Sequence, residues 1–380
     1  MMEIRSLRKA RKFASKASRH INARNIALGA VGIGAAGAVA SVVAGAGVAL
    51  AVRAVWNRLT LDDIRGQSVL ITGASRGLGL ALAQEFARQH CRIAICARNQ
   101  EELDAAAIEL RKAGAEVEVL TIACDVTRQQ DVESMVRQVI AHHGQIDILV
   151  NNAGTVQVGP LQSHSLTDFQ EAMDVMFWAH IYTTLAVIPH MTARGRGRIA
   201  NITSIGGKIA LPHLIPYSSA KFAAVGFSEG ITAELAKDGI TVTTVCPGLM
   251  RTGAHENAYF KGDHRKEYAW FSLGASSPLT AIGARRAARG IVKAIRRGQA
   301  EIILGVPAKA ASLFHGVAPG TTAKMLGVTH RFMPGSESTS QDRYRGFESK
   351  SRLSESPLNA FGRHAANTLN QRTVPREGLA

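Results

Sequence analysis

From Gly66 onward, short and nearly unbroken apolar runs alternate with longer stretches whose apolar residues recur at the helical spacing. "SVLITG", "RIAICAR", "EVEVLTIACDV" and "IDILVNNAG" predict buried strands. Between them, "GLALAQEFARQ", "QEELDAAAIELRKAG" and "QQDVESMVRQVIAHHG" predict helices. Repeated strand–helix units of this length predict an α/β fold with a doubly wound parallel sheet in a single catalytic domain. Such sheets hold ligands beyond the carboxyl ends of their strands, where the strand order reverses.

The pattern before Gly66 is different. Ile26 to Val52 carries no charged residue over 27 positions; as a helix it would reach ~40 Å, enough to cross a ~30 Å hydrocarbon core with tilt. An N-terminal membrane segment over 26–52 is the expectation, preceded by a basic arm over 1–25 and followed by a linker over 53–65. A cleaved signal or an organellar transit peptide is the competing reading of the acid-poor first residues. Basic residues ahead of the span predict an inside N-terminus and an outside body, in conflict with a catalytic domain facing the cytoplasm; a re-entrant or surface-lying segment would remove the conflict.

Composition adds to this picture. The formal net charge is +16, and the first 65 residues hold eleven Lys or Arg against three acids. Half the excess thus lies outside the expected catalytic body, which argues against a nucleic-acid enzyme and for an arm that meets anionic lipid. Cys91, Cys96, Cys124 and Cys246 form no CxxC pair and fall in or beside apolar runs, so small buried thiols are expected.

The candidate chemistry falls at strand ends. "TGASRGLG" joins the first strand to the first helix, and its glycines let backbone N–H groups approach a pyrophosphate. A carboxylate about 20 residues on would hold a ribose hydroxyl, but the chain has Ala97 and Arg98 there. With Arg76 in the loop, two guanidinium groups could meet a 2′-phosphate, which points to NADP(H). "LIPYSSAK" sets the Tyr217 phenol and the Lys221 ammonium one helical turn apart, where the cation would lower the phenol's pKa. His142, His143, His213, His255 and His264 show no metal-ligand spacing and are expected on the surface or in loops; no metal is called for.

Together "TGASRGLG", "NNAG" at Asn151 to Gly154, Ser204 thirteen residues before Tyr217, Lys221, and "PGLMRT" from Pro247 resemble the short-chain dehydrogenase/reductase family over about 66–310. The resemblance implies a Rossmann-type fold and a nicotinamide cofactor. It implies catalytic roles for Ser204, Tyr217 and Lys221. It further implies a cofactor site from Thr72, Gly73, Ser75, Arg76, Gly77, Leu78, Gly79, Arg98, Asp125, Val126, Asn152, Ala153, Gly154, Pro247, Gly248 and Thr252, joined by Tyr217 and Lys221. One departure is Met176, where the family usually has an Asn whose amide helps fix a relay water.

The substrate lid is expected over 249–278, where Tyr259, Phe260, Tyr268, Trp270 and Phe271 mix with Lys261, Arg265 and Lys266. Apolar helices at a lipid surface are expected over 311–333, and a disordered tail over 334–380. The expected function is NADPH-dependent hydride transfer between the nicotinamide and a lipophilic carbonyl or alcohol, in a membrane-associated protein. The alternative is a catalytically impaired cofactor-binding membrane protein with a scaffold or regulatory role. Homo-oligomerisation is left open.

Overall fold

The computed structural model describes residues 61–113, 118–334, 340–352, 354, 356 and 359–371. The apolar stretch 26–52 lies outside them, as do the basic arm and most of the linker. Among the described residues no helix is long and apolar enough to cross a membrane. The chain divides into two units, Met1–Thr60 and Leu61–Ala380, and only the second is described.

Seven parallel strands form the main sheet, in the order Glu301–Leu304, Ile240–Pro247, Gly197–Ile202, Ile148–Asn151, Ser68–Thr72, Arg92–Ala97, Val119–Ala123. The first strand in sequence is central, so the order reverses between it and Ile148–Asn151. Every residue of Ser68–Thr72 is buried, as expected of a strand with helices on both sheet faces. Its alternation divides the core in two. Val69 and Ile71 join the layer under helices Gly77–Arg88 and Ala284–Arg296, while Leu70 joins the opposite layer with Val132, Val136 and Val139 of helix Gln129–His143.

The described body begins before Gly66. Ile64 is buried in the core, Asp62 pairs with Arg198, and the Asp62 carbonyl accepts from Arg296 Nε at 2.8 Å. All four cysteines are free and buried, as their apolar settings suggested.

Two expectations are corrected. Within the disordered tail expected over 334–380, the described residues hold structure: Tyr344–Arg345 pairs antiparallel with Tyr259–Phe260 of the lid, and helix Ala360–Thr368 packs on helix His264–Ser276, while 335–339 and 372–380 lie outside the described residues. Its order rests on small buried residues, Gly362, Ala365 and Ala366, and on amide side chains that hydrogen-bond the body. Neither feature produces an apolar periodicity. Likewise, His143 lies buried at the end of helix Gln129–His143, neither on the surface nor in a loop, while His213, in a loop, and His255, in the short 3-10 helix Ala254–Glu256, are both buried. His213 Nδ1 lies 2.7 Å from Glu267 Oε1, tying the loop before Tyr217 to the lid helix.

Candidate functional site

The carboxyl ends of Ser68–Thr72 and Ile148–Asn151 are joined by side chains. Thr72 Oγ1 accepts from the backbone N–H groups of Asn152 at 3.0 Å and Ala153 at 3.1 Å. Asn152 Nδ2 donates back to the carbonyls of Thr72 and Gly73 at 2.9 and 3.0 Å. This crossing fixes the floor of the crevice at the switch point. Gly73 and Gly77 both have positive φ, +63° and +61°, a region that L side chains enter at a cost. A Cβ on Gly73 would also stand 2.8 Å from Ala153 Cα. Gly154 is exposed at the crevice, and Asp125 Oδ1 accepts from the Thr127 N–H and hydroxyl at 3.0 and 2.8 Å while Val126 is buried beneath.

Arg76 and Arg98 both stand close enough to Arg345 to lower its pKa, but Arg76 is already paired: its Nη2 lies 3.0 Å from Glu102 Oε1, and Ser75 Oγ donates to the other carboxylate oxygen at 3.0 Å. Glu102 escaped the sequence reading because its only signal was an acid in the first turn of a helix, the ordinary place for one.

Helix Ile215–Leu235 begins with Pro216 in its first turn, and sets Tyr217 and Lys221 on the face toward strand Gly197–Ile202. Lys221 Nζ donates to the Ile202 carbonyl at 2.8 Å and stands 6.0 Å from the Tyr217 ring centroid. Ser204 follows that strand, and its Oγ accepts from Gly206 N–H at 2.9 Å. Gly206 leaves room for the phenol ring, since a Cβ there would be 3.0 Å from Tyr217 Cε1. The structure thus brings together Tyr217 and Lys221, as their spacing implied, and Ser204, as the family resemblance implied.

Their electrostatics depart from expectation. Burial raises the Tyr217 pKa, and the hydrogen bond with Ser204 only partly opposes it. Burial also lowers Lys221 to about 8. The ammonium is held against a carbonyl, and the phenol's pKa ends above its ordinary value rather than below it.

Met176 occupies a π-turn, Asp174–Trp178, ahead of helix Ala179–Ala193. Its side chain packs with Ala172, Ala220 and Tyr217, and a Cβ on Gly154 would lie 3.6 Å from Met176 Cγ and 3.8 Å from Lys221 Nζ. One turn on, His180 is 1 % exposed and neither ring nitrogen has a hydrogen-bond partner among the described residues. Burial, and then the charge of Lys221, holds its pKa well below the ordinary value. At the far end of the crevice, the Gly248 N–H donates to Leu304 O at 2.9 Å after buried Pro247, and Thr252 is buried with its carbonyl facing Gln371.

The profile of the short chain dehydrogenase family matches residues 67–261. A dehydrogenase/reductase SDR family protein 7-like from Anopheles gambiae is 35% identical over 262 residues, covering 67% of this chain and 80% of that protein. A 17-beta-hydroxysteroid dehydrogenase 13 from Mus musculus is 36% identical over 198 residues, 51% of this chain and 64% of that one. Among solved structures, a short-chain dehydrogenase from Streptomyces avermitilis superposes with a TM-score of 0.60 at 27% identity, covering 70% of this chain and 99% of that one. With a glycine-rich turn at the switch point and Ser204, Tyr217 and Lys221 gathered at neighbouring strand ends, the chain belongs to the short-chain dehydrogenase/reductase family of oxidoreductases, which use NAD or NADP.

Proposed function

We propose that the protein is an NADPH-dependent reductase of lipophilic ketones or aldehydes. The observation that carries the reading is the convergence of the Ser204 hydroxyl, the Tyr217 phenol and the Lys221 ammonium at one edge of the crevice. A dinucleotide held by the glycine turn would supply the hydride for the carbonyl carbon. Tyr217 donates its proton to the substrate oxygen as negative charge develops there, and Ser204 donates a hydrogen bond to that oxygen. The resulting tyrosinate regains a proton from solvent. A phenol whose pKa is raised by burial stays protonated at neutral pH, the form that reduction needs. Lys221 lies near enough to the phenol to stabilise the tyrosinate and carries donors for ribose hydroxyls.

The residues present fit a phosphorylated dinucleotide. Gly73 and Gly77 shape the βα turn, the N-terminus of Gly77–Arg88 offers N–H groups to a pyrophosphate, and Arg76 and Arg98 offer guanidinium groups to a 2′-phosphate. Replacing Arg98 with Asp should remove one phosphate partner and shift preference from NADPH toward NADH by roughly tenfold or more, the worth of a charge-assisted hydrogen bond. An unchanged NADPH/NADH affinity ratio would refute the assignment.

The lipophilic and membrane-associated parts of the proposal draw on helices Val306–Val317 and Pro319–His330. They expose Val306, Leu313, Phe314, Val317, Val328 and nearby Phe332. No acid occurs between Glu301 and Glu337, while Lys309, Lys324 and Arg331 do. Apolar side chains among cations suit an anionic lipid surface. The His330 ring meets His213 at a centroid distance of 5.1 Å, so this hairpin adjoins the loop that leads into Tyr217. A carbonyl panel graded by chain length, assayed by NADPH consumption with and without anionic vesicles, tests the reading. It predicts rates that rise with chain length and with vesicles; preference for short water-soluble carbonyls, unmoved by vesicles, would sink the lipophilic part. The alternative, a cofactor-binding protein impaired in turnover, is favoured by Met176 at the relay position and predicts NADPH binding without consumption.

A further inference from the structure

We infer that the C-terminal segment 359–371 is an intrachain competitor of the dinucleotide, which binds by displacing it from the glycine loop. The inference rests on the cofactor reading above and adds a regulation to that site. The Gly77 N–H opens helix Gly77–Arg88, where a bound anion gains most from the helix terminus. In this structure that N–H donates to the carbonyl of Leu369 at 2.9 Å. A carbonyl oxygen of the chain's own tail therefore stands where an anionic phosphate oxygen would accept.

The neighbouring residues extend the contact across the crevice. Asn370 Nδ2 donates to Ser75 O and Gln371 Nε2 to Thr252 O, each at 3.4 Å. A Cβ on Gly77 would meet Gln371 Nε2 at 2.8 Å, so the tail lies directly on the loop. Three consecutive residues thus run from the glycine loop at Ser75 and Gly77 to Thr252, and both loop residues are buried.

What seats the segment is specific but slender. Ala366 is buried so closely against Gly253 that a Cβ there would stand 2.4 Å from Ala366 Cα. Leu369 joins the core layer of helix Gly77–Arg88, and Asn257 Nδ2 donates to Gln371 Oε1 at 2.6 Å. Small-residue contacts and a few amide hydrogen bonds are the kind that open locally without unfolding the domain. Arg345, beside this seat through its bond to Asn257 O at 3.1 Å, has its pKa lowered by burial and then by the positive charges of Arg76, Arg98 and Arg343. An entering phosphate would relieve that crowding of cations, whereas the docked amides and carbonyl carry no charge to do so.

Hydrogen exchange of the full chain with and without saturating NADPH tests the inference. Exchange should fall in 72–79 and rise in 359–371 when NADPH binds. Two variants that unseat the segment, Ala366→Arg and Gly362→Val, should bind NADPH more tightly, on the order of tenfold if the site is free about a tenth of the time in the wild type. Tail exchange that falls or stays level while 72–79 becomes protected overturns the inference and leaves the cofactor reading intact. Equal or weaker NADPH affinity in folded variants does the same. Failure of NADPH to protect 72–79 in any of the three proteins contradicts the cofactor reading, and the inference with it. Should both variants fail to fold, the wild-type exchange pattern decides alone.

Discussion

Replacing Tyr217 with Phe should lower carbonyl reduction by a factor on the order of 10² to 10⁴, the usual contribution of a positioned general acid, with NADPH affinity nearly unchanged. The substitution removes one hydroxyl from a ring seated against Gly206 and in the cluster of Met176 and Ala220, so the ring's packing survives. Only the proton donor and its hydrogen bond with Ser204 are lost. Steady-state turnover with a substrate from the carbonyl panel, alongside NADPH titration by fluorescence, separates the two effects. Wild-type turnover in the variant would mean the phenol is not the acid.

Lys221 should respond differently, because one amine serves two purposes. Lys221→Met should weaken NADPH binding by roughly 10- to 100-fold, the scale of hydrogen bonds to a charged group, and also reduce turnover by depriving the tyrosinate of its cation. Thermal stability should hold or rise, since burial has already pushed the amine down to about 8 and a buried charge is costly to keep. Ile202 O loses its 2.8 Å donor, which limits the gain. The same shift predicts a pH dependence. Below about pH 8 the amine is charged, and NADPH affinity should decline as pH rises through that value; for stability the sign is opposite. The folded pKa lies below the unfolded value, so the unfolded chain binds more protons between about pH 8 and the ordinary lysine value of about 10.4, and this group's contribution grows with pH there. An NADPH affinity in Lys221→Met equal to wild type, or one in wild type indifferent to pH across 8, contradicts the anchoring role.

The parts of the fold that the sequence disclosed are those with a one-to-one physical signal. A strand buried on both faces must be apolar throughout, and Ser68–Thr72 is. A close approach of backbone to backbone needs glycine, and Gly73 has it where Ala153 comes near. Tyr217 and Lys221 share a helical face because they are four residues apart, and Met176 falls in the turn that leads into the site.

Other features depend on surroundings that no local pattern encodes. The direction of the Tyr217 shift is set by burial, which wins over a lysine engaged with a carbonyl. Glu102 reaches Arg76 only because helix Gln100–Ala113 folds back beside the loop. The segment 359–371 reads as polar and featureless, yet Ala366 and Leu369 find buried seats among small residues. His213 is a loop residue, buried against Glu267 of the lid helix, and His255, itself in the lid, is buried against Tyr268 and the C-terminal segment at Gly362.

The central claim is that hydride passes from NADPH to a carbonyl carbon at this site. NADPH carrying deuterium at C4 of the nicotinamide, incubated with the full chain and a long-chain ketone, tests it most directly by mass analysis of the alcohol formed. The account predicts one deuterium on the carbinol carbon with the wild-type protein, and almost none in the same time with Tyr217→Phe. NADPH that binds and protects the glycine loop, yet delivers no deuterium to any carbonyl in the panel, would contradict it.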